Sequence, residues 1–249
     1  MPPVTRTLDG RLLVIGDSLT YHGPAGPEST TDARLWPNLV ATQLSTRLDL
    51  LARQGWTARD AWWAVTKDPV AWSVLVPRAG ALVIAVGGMD ALPASIPTYL
   101  REGIAFVRPR RLRRAVRRAY RAVHPRLATL WGGRLRVLPQ QATDHYLTRV
   151  VRGVRHYRPE LPVVVLTPPP WRSSDYPGRR QHPAAVAAAR TWADHEGVVV
   201  ADVESLVQEM HDRGAGNPDG LHWDWETHAA VAEVVAYAVR QAVDRASAP

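Results

Sequence analysis

The chain has no cysteine. A disulfide scaffold, a thiolate metal site and a cysteine nucleophile are therefore excluded. It has a single phenylalanine against ten tryptophans. Most of these indoles belong in a core, and a few suit the lining of a sugar or acyl cleft. Lys67 is the only lysine among 31 basic residues. A GC-rich genome gives the same bias, but arginine is also the better fork for carboxylates and phosphates. The excess thus permits an anionic substrate without requiring one. No apolar run reaches the ~18 residues of a membrane-spanning helix. Met1 to Gly10 lacks an apolar signal core and leads straight into the strand-like Arg11–Ile15, so the expected location is cytoplasmic.

What is present is a globular composition. The 249 residues are 46% hydrophobic and 22% charged, with a net charge of +8, which suits one large domain over 1–249. Short apolar runs alternate with longer amphipathic segments. Strands are expected at Leu12–Ile15, Leu48–Arg53, Ala81–Val86, Val163–Thr167 and Val198–Asp202. Helices are expected near Asp32–Thr46, Thr57–Thr66, Ile96–Val107, Ala142–Tyr157, Pro183–Glu196 and Thr227–Arg245. That alternation predicts an α/β fold with a mostly parallel sheet, its chemistry gathered at the carboxyl ends of the strands. Residues 108–139 break the rhythm, with nine arginines falling between Arg108 and Arg126 inclusive. They read as a basic helical insertion, a flap over the cleft, or as a plainly solvated face. No nucleic-acid-binding motif accompanies them.

Reactive residues stand at both ends of the chain. The first strand runs into Gly16-Asp17-Ser18-Leu19, where a serine in a tight turn can aim its hydroxyl into the cleft. A serine needs a base, and nine histidines compete. In Asn217-Pro-Asp-Gly-Leu-His-Trp223 the three-residue spacing lets Asp219 reach one nitrogen of His222 while the other faces the serine. A histidine in a turn is commonly structural; the pairing with Ser18 is what favours catalysis. Gly55, after the second strand, offers a backbone N–H for an oxyanion, and Gly87-Gly88-Met89-Asp90 follows the third. A metal site from Asp219, His222, Asp224 and His228 has no recognised spacing behind it.

These four blocks, in this order, resemble the SGNH or GDSL hydrolase family. The resemblance implies a flavodoxin-like three-layer α/β/α domain. It makes Ser18 the nucleophile and first oxyanion donor, Gly55 the second donor, His222 the general base and Asp219 its orienting partner. Met89 departs from the family pattern, which has a donating asparagine there. The longer runs Gly16–Gly23, Arg53–Trp63, Thr98–Gly103 and Gly216–Trp223 resemble a mycobacterial group of glucosylglycerate acyltransferases. That likeness implies transfer of a medium-chain, octanoyl-like group from acyl-coenzyme A to a diglucosylglycerate hydroxyl, in methylglucose lipopolysaccharide biosynthesis. Both partners would be small anionic molecules, with coenzyme A a substrate and no further cofactor or metal. Arg59 would clamp a carboxylate, and Arg113, Arg114, Arg117 and Arg118 would attract anions. Trp56, Trp62, Trp63 and Trp223 would stack on sugar or shield the acyl chain, with Asp90 beside them. A plain serine carboxylesterase shares the same triad. A non-catalytic binding protein of the same fold is the reading that Met89 favours.

Overall fold

The computed structural model describes residues 8–247. Five strands form one parallel sheet: β1 (Arg11–Gly16), β4 (Leu48–Ala52), β5 (Ala79–Ala85), β6 (Val163–Leu166) and β7 (Val199–Ala201), in the order β4-β1-β5-β6-β7. Two short strands, β2 (His22–Gly23) and β3 (Gly26–Pro27), make a separate hairpin. The expected strands are all found, and the order is that of a flavodoxin-like sheet.

Alternation along each strand assigns its side chains to two layers. Leu12 and Val14 enter one core with Ala81, Val83, Val164 and Leu166, while Leu13 and Ile15 enter the other with Leu82, Ile84, Val163 and Val165. The first core is closed by α1 (Trp36–Gln43), α8 (Glu204–Asp212) and α9 (Trp225–Ala246). The second is closed by α2 (Ala58–Lys67), α6 (Gln140–Tyr157) and α7 (His182–Glu196). Each fully buried Leu, Ile or Val contributes roughly 1.5–3 kcal/mol. A strand buried on both faces therefore holds its register strongly.

Three shorter or more exposed helices complete the chain: α3 (Gly88–Ala91), α4 (Thr98–Gly103) and α5 (Arg110–Leu130). The expected helix at Ile96–Val107 is broken into α4 and a 3-10 turn at Ile104–Phe106. Helix α1 starts later than expected, because residues 32–35 form turns before Trp36 and Pro37. The unexpected helix α8 buries Val207 and Met210 behind Val203, an i, i+4, i+7 stripe. None of the described helices is long and apolar enough to cross a membrane.

This topology positions the reactive edge. Gly16, Ala52 and Ala85 lie opposite one another at the carboxyl ends of β1, β4 and β5. The chain leaves β1 toward β4 on one side, then crosses to β5 on the other, so the strand order reverses at β1. Open α/β sheets bind ligands in the crevice at such a point.

Candidate active site

Ser18 opens a 3-10 turn immediately past β1. The Asp17 carboxylate accepts the Leu19 N–H at 2.9 Å, and the Asp17 carbonyl accepts the Thr20 hydroxyl at 2.6 Å. Asp17 is itself fully buried, and desolvation pushes its carboxyl up to about 7 despite the Leu19 hydrogen bond. The turn is rigid on both sides of the serine.

The other half of the site comes from the loop before α9. Asp219 accepts the backbone N–H groups of Leu221 and His222, each at 2.9 Å. Gly220 makes the loop possible: its φ is +67°, and a Cβ there would lie 2.5 Å from the Arg172 carbonyl. Only glycine accepts both conditions. The N-cap Asp224 accepts Thr227 N–H at 2.8 Å to start α9 and Gly216 N–H at 2.8 Å to close the loop behind.

These halves, more than two hundred positions apart, meet. His222 Nε2 lies 2.9 Å from Ser18 Oγ, and His222 Nδ1 lies 2.6 Å from Asp219 Oδ2. The carboxylate fixes the Nδ1–H tautomer, leaving Nε2 to accept the serine proton. Desolvation lowers the His222 pKa, Asp219 opposes that, and a neighbouring His22 lowers it further; the net is below the ordinary imidazole value. The ring is therefore neutral and basic at neutral pH. Burial pushes the Asp219 carboxyl up, but the hydrogen bonds from His222 and Leu221 outweigh it and hold the carboxyl below its usual range. The N–H groups of Ser18 and Gly55 donate no backbone hydrogen bond among the described residues. Gly55 has φ +71°, and the Met89 methyl lies 3.9 Å from where its Cβ would be. Met89 is buried in an apolar cluster with Leu92, Val137 and Trp171. It supplies bulk beside Gly55, not a donor.

Several expected substrate contacts are corrected. Asp90 is wholly buried. It accepts the Ala58 N–H at 3.2 Å and the Thr143 hydroxyl at 2.9 Å, and desolvation pushes it up to about 6. It fastens the N-terminus of α2, where negative charge suits the helix dipole, and cannot touch a ligand. Trp223 is 1% exposed and packs in the core under α9. Trp62 packs against Gly153 of α6 beneath Arg149. Trp63 has Arg59 and Lys67 over its ring. With Trp56 it lines a depression that includes neither Ser18 nor His222. Arg59 is engaged by Glu102, so it ties α2 to α4 instead of standing free for a substrate. Of the four arginines expected to gather anions, only Arg117 lines the catalytic cavity, while Arg113 donates to the Ala105 carbonyl.

That cavity, of about 670 Å³, is bounded by His222, Asp219, Gln54 and Tyr176 on one side and by α4 and α5 on the other. Sequence reasoning missed one neighbour of the base. His22 stacks on His222 with ring centroids 3.6 Å apart and planes 11° from parallel. His22, Asp219 and His222 bring potential ligand atoms within 4.8 Å of one another, but Asp219 already bonds His222, and His222 bonds Ser18. His228 does not join them. It accepts Trp36 N–H and bonds the His22 carbonyl, and burial drops its pKa to about 4.

A three-layer α/β/α fold whose sheet carries a serine–histidine–aspartate triad at its switch point is the arrangement of the SGNH class of serine acyl hydrolases. A model of the GDSL-like lipase/acylhydrolase family matches residues 14–230, and the chain belongs to that family. Curated relatives named diglucosylglycerate octanoyltransferase are 45% identical over 93% of this chain. They come from Mycolicibacterium hassiacum, where 95% of the relative is covered, and Mycobacterium tuberculosis, where 92% is covered. A lipase/acylhydrolase structure from Enterococcus faecalis has the same fold, with a TM-score of 0.62 at 16% identity, covering 93% of this chain and 96% of that one.

Proposed function

We propose that this chain is a serine O-acyltransferase that moves a medium-chain acyl group, octanoyl in length, from acyl-coenzyme A to a hydroxyl of diglucosylglycerate. The observation that carries the chemistry is the continuous relay from Ser18 Oγ through His222 to Asp219. The likeness to the two curated octanoyltransferases supports the substrate pair. A coenzyme A donor fits a cytoplasmic site of action.

His222 Nε2 takes the Ser18 proton as Oγ bonds to the thioester carbonyl carbon. Negative charge develops on the carbonyl oxygen, and the N–H groups of Ser18 and Gly55 face it. The C–S bond breaks, the thiolate leaves with the proton held by His222, and an acyl-serine remains. The sugar hydroxyl then enters, gives its proton to His222 and takes the acyl carbon; the proton returns to Ser18 as its oxygen departs. Asp219 holds the ring and stabilises each imidazolium. Each oxyanion donor is worth roughly 3–4 kcal/mol in such a site. Ser18 and Gly55 thus carry the work that an asparagine at Met89 would have shared.

Water competes for the acyl-serine, and the neighbouring hydrolase chemistry differs only in that acceptor. The deciding experiment incubates the enzyme with octanoyl-coenzyme A, with and without diglucosylglycerate. Octanoylated glycoside is the expected product. Free octanoate alone, with abundant acceptor present, would make the protein a hydrolase. The variant S18A should lose roughly 10³-fold or more in turnover with an unchanged melting temperature. Wild-type turnover in S18A would overturn the nucleophile.

A further inference from the structure

The cavity beside His222 holds more positive charge than its neighbours neutralise. Arg101 of α4 and Arg117 and Arg121 of α5 line it, and none of the three forms an ion pair among the described residues. Three carboxylates share the lining. Glu102 is engaged by Arg59 and Asp219 by His222, which leaves Asp175 as the one acid facing three cations.

Helical geometry separates Arg117 and Arg121 of α5 from Arg111 and Arg118, which stand about 100° or more round the helix from Arg117. Arg117, Tyr120, Arg121 and His124 stand at i, i+3, i+4 and i+7, one stripe of α5. The stripe is anchored at its deep end. His124 is 8% exposed, and its Nδ1 bonds Ser95 Oγ at 2.7 Å and the Tyr120 hydroxyl at 3.2 Å. Its Nε2 is buried and has no partner among the described residues. Arg117 and Arg121 are exposed residues, as are Arg110, Arg111, Arg114 and Arg118; what sets the first two apart is that they line the cavity. An arginine facing open salt water is largely screened, whereas an excess of one sign along a cleft wall focuses its field on whatever enters.

We propose that Arg101, Arg117 and Arg121 form a subsite for an anionic group of a substrate, a phosphate of the thioester donor or the carboxylate of the sugar acceptor, anchored so that the reacting carbon or hydroxyl reaches Ser18. The subsite rests on the acyl-transfer reading, and it makes α5 a binding wall for the reaction. Holding the charged end away from the reacting bond lets remote binding energy position the acceptor ahead of water.

The test compares R117A/R121A with the outward control R111A/R118A, each against a charged substrate and its neutral counterpart. The donors are octanoyl-coenzyme A and octanoyl-N-acetylcysteamine. The acceptors are diglucosylglycerate and the matching diglucosylglycerol. Loss of charge-assisted contacts in R117A/R121A should raise KM for one charged substrate roughly tenfold or more, leaving KM for its neutral counterpart within about twofold. A rise confined to octanoyl-coenzyme A identifies a phosphate, and one confined to diglucosylglycerate identifies the carboxylate. The control should move neither. Equal KM changes for charged and neutral substrates, or no change beyond the control, would overturn the subsite. Fluorophosphonate labelling of Ser18 separates the two readings. Labelling in wild type and variant alike shows an intact triad, whereas failure in wild type strikes the acyl-serine reading itself. Should the double variant not fold, R121Q alone gives the same comparison.

Discussion

His222 works as a base only while it is neutral, and its surroundings keep it so. Burial and the stacked His22 lower its pKa more than Asp219 raises it. Turnover should be flat at neutral pH and fall only below the ordinary imidazole range. The variant H22F keeps a flat ring on the stack but removes the electrostatic opposition that His22 offers to protonation of His222. Its acid limb should move upward in a pH–kcat/KM profile, and an unmoved limb would show that His22 merely fills space. Asp17 makes a stability prediction of definite sign. Its carboxyl titrates about 7 in the folded chain and at 3.8 when exposed. Between roughly pH 4 and 7 the folded form keeps a proton that the unfolded form has lost, so this residue's contribution falls as pH rises through that window. D17N keeps a carbonyl for the Leu19 N–H and removes the titration. Its melting temperature should exceed wild type by more at pH 8 than at pH 5. Equal differences would show that the buried carboxyl does not hold its proton. Ser18, Asp219 and His222 were legible because each sits in a short local run. The His22 stack was not, because it depends on how the loop after Ser18 folds back on a segment two hundred residues away.

Strand placement was the most readable part at the scale of elements. Parallel strands buried on both faces leave unbroken apolar runs such as Leu12–Ile15 and Val163–Leu166. The helix from Arg110 to Leu130 was legible as a basic helix but not as a two-faced one. Arginines occupy both of its faces, and only the burial of its own His124 and Ala128 shows which stripe turns inward. Helix α8 left a signal in Val203, Val207 and Met210, easily passed over behind the short strand β7. Asp90 misled because a buried acid beside a glycine pair looks like a site residue in one dimension. In three dimensions it joins α3 to α2 and α6. The loop before α9 carries its own test. G220A forces a Cβ against the Arg172 carbonyl at positive φ, a strain of order 1–3 kcal/mol. Because Asp219 and His222 flank it, kcat should drop at least tenfold while the melting temperature falls by only a few degrees. Unchanged kcat would mean that the loop's geometry is not what sets the relay.

The whole molecule is a familiar sheet with its chemistry at the strand-order reversal, closed on one side by a cationic helical wall. The class could be read from order alone: Gly16–Leu19 first, Gly55 and Gly88–Asp90 between, Asp219–His222 last. The substrate-facing surface could not, because it is built from tertiary neighbours. Trp223 and Trp62 went to cores, Arg59 went to Glu102, and the cavity instead received Tyr120, Tyr176 and arginines from two separate helices. The central claim is that acyl transfer passes through a covalent bond to one hydroxyl. Rapid quenching of the enzyme with octanoyl-coenzyme A in the absence of acceptor, followed by mass spectrometry of its peptides, tests that directly. The account predicts one octanoyl group on the peptide bearing Ser18, absent in S18A and discharged when diglucosylglycerate is added. Steady product formation with that peptide always unmodified, or an acyl group on another residue, would contradict it.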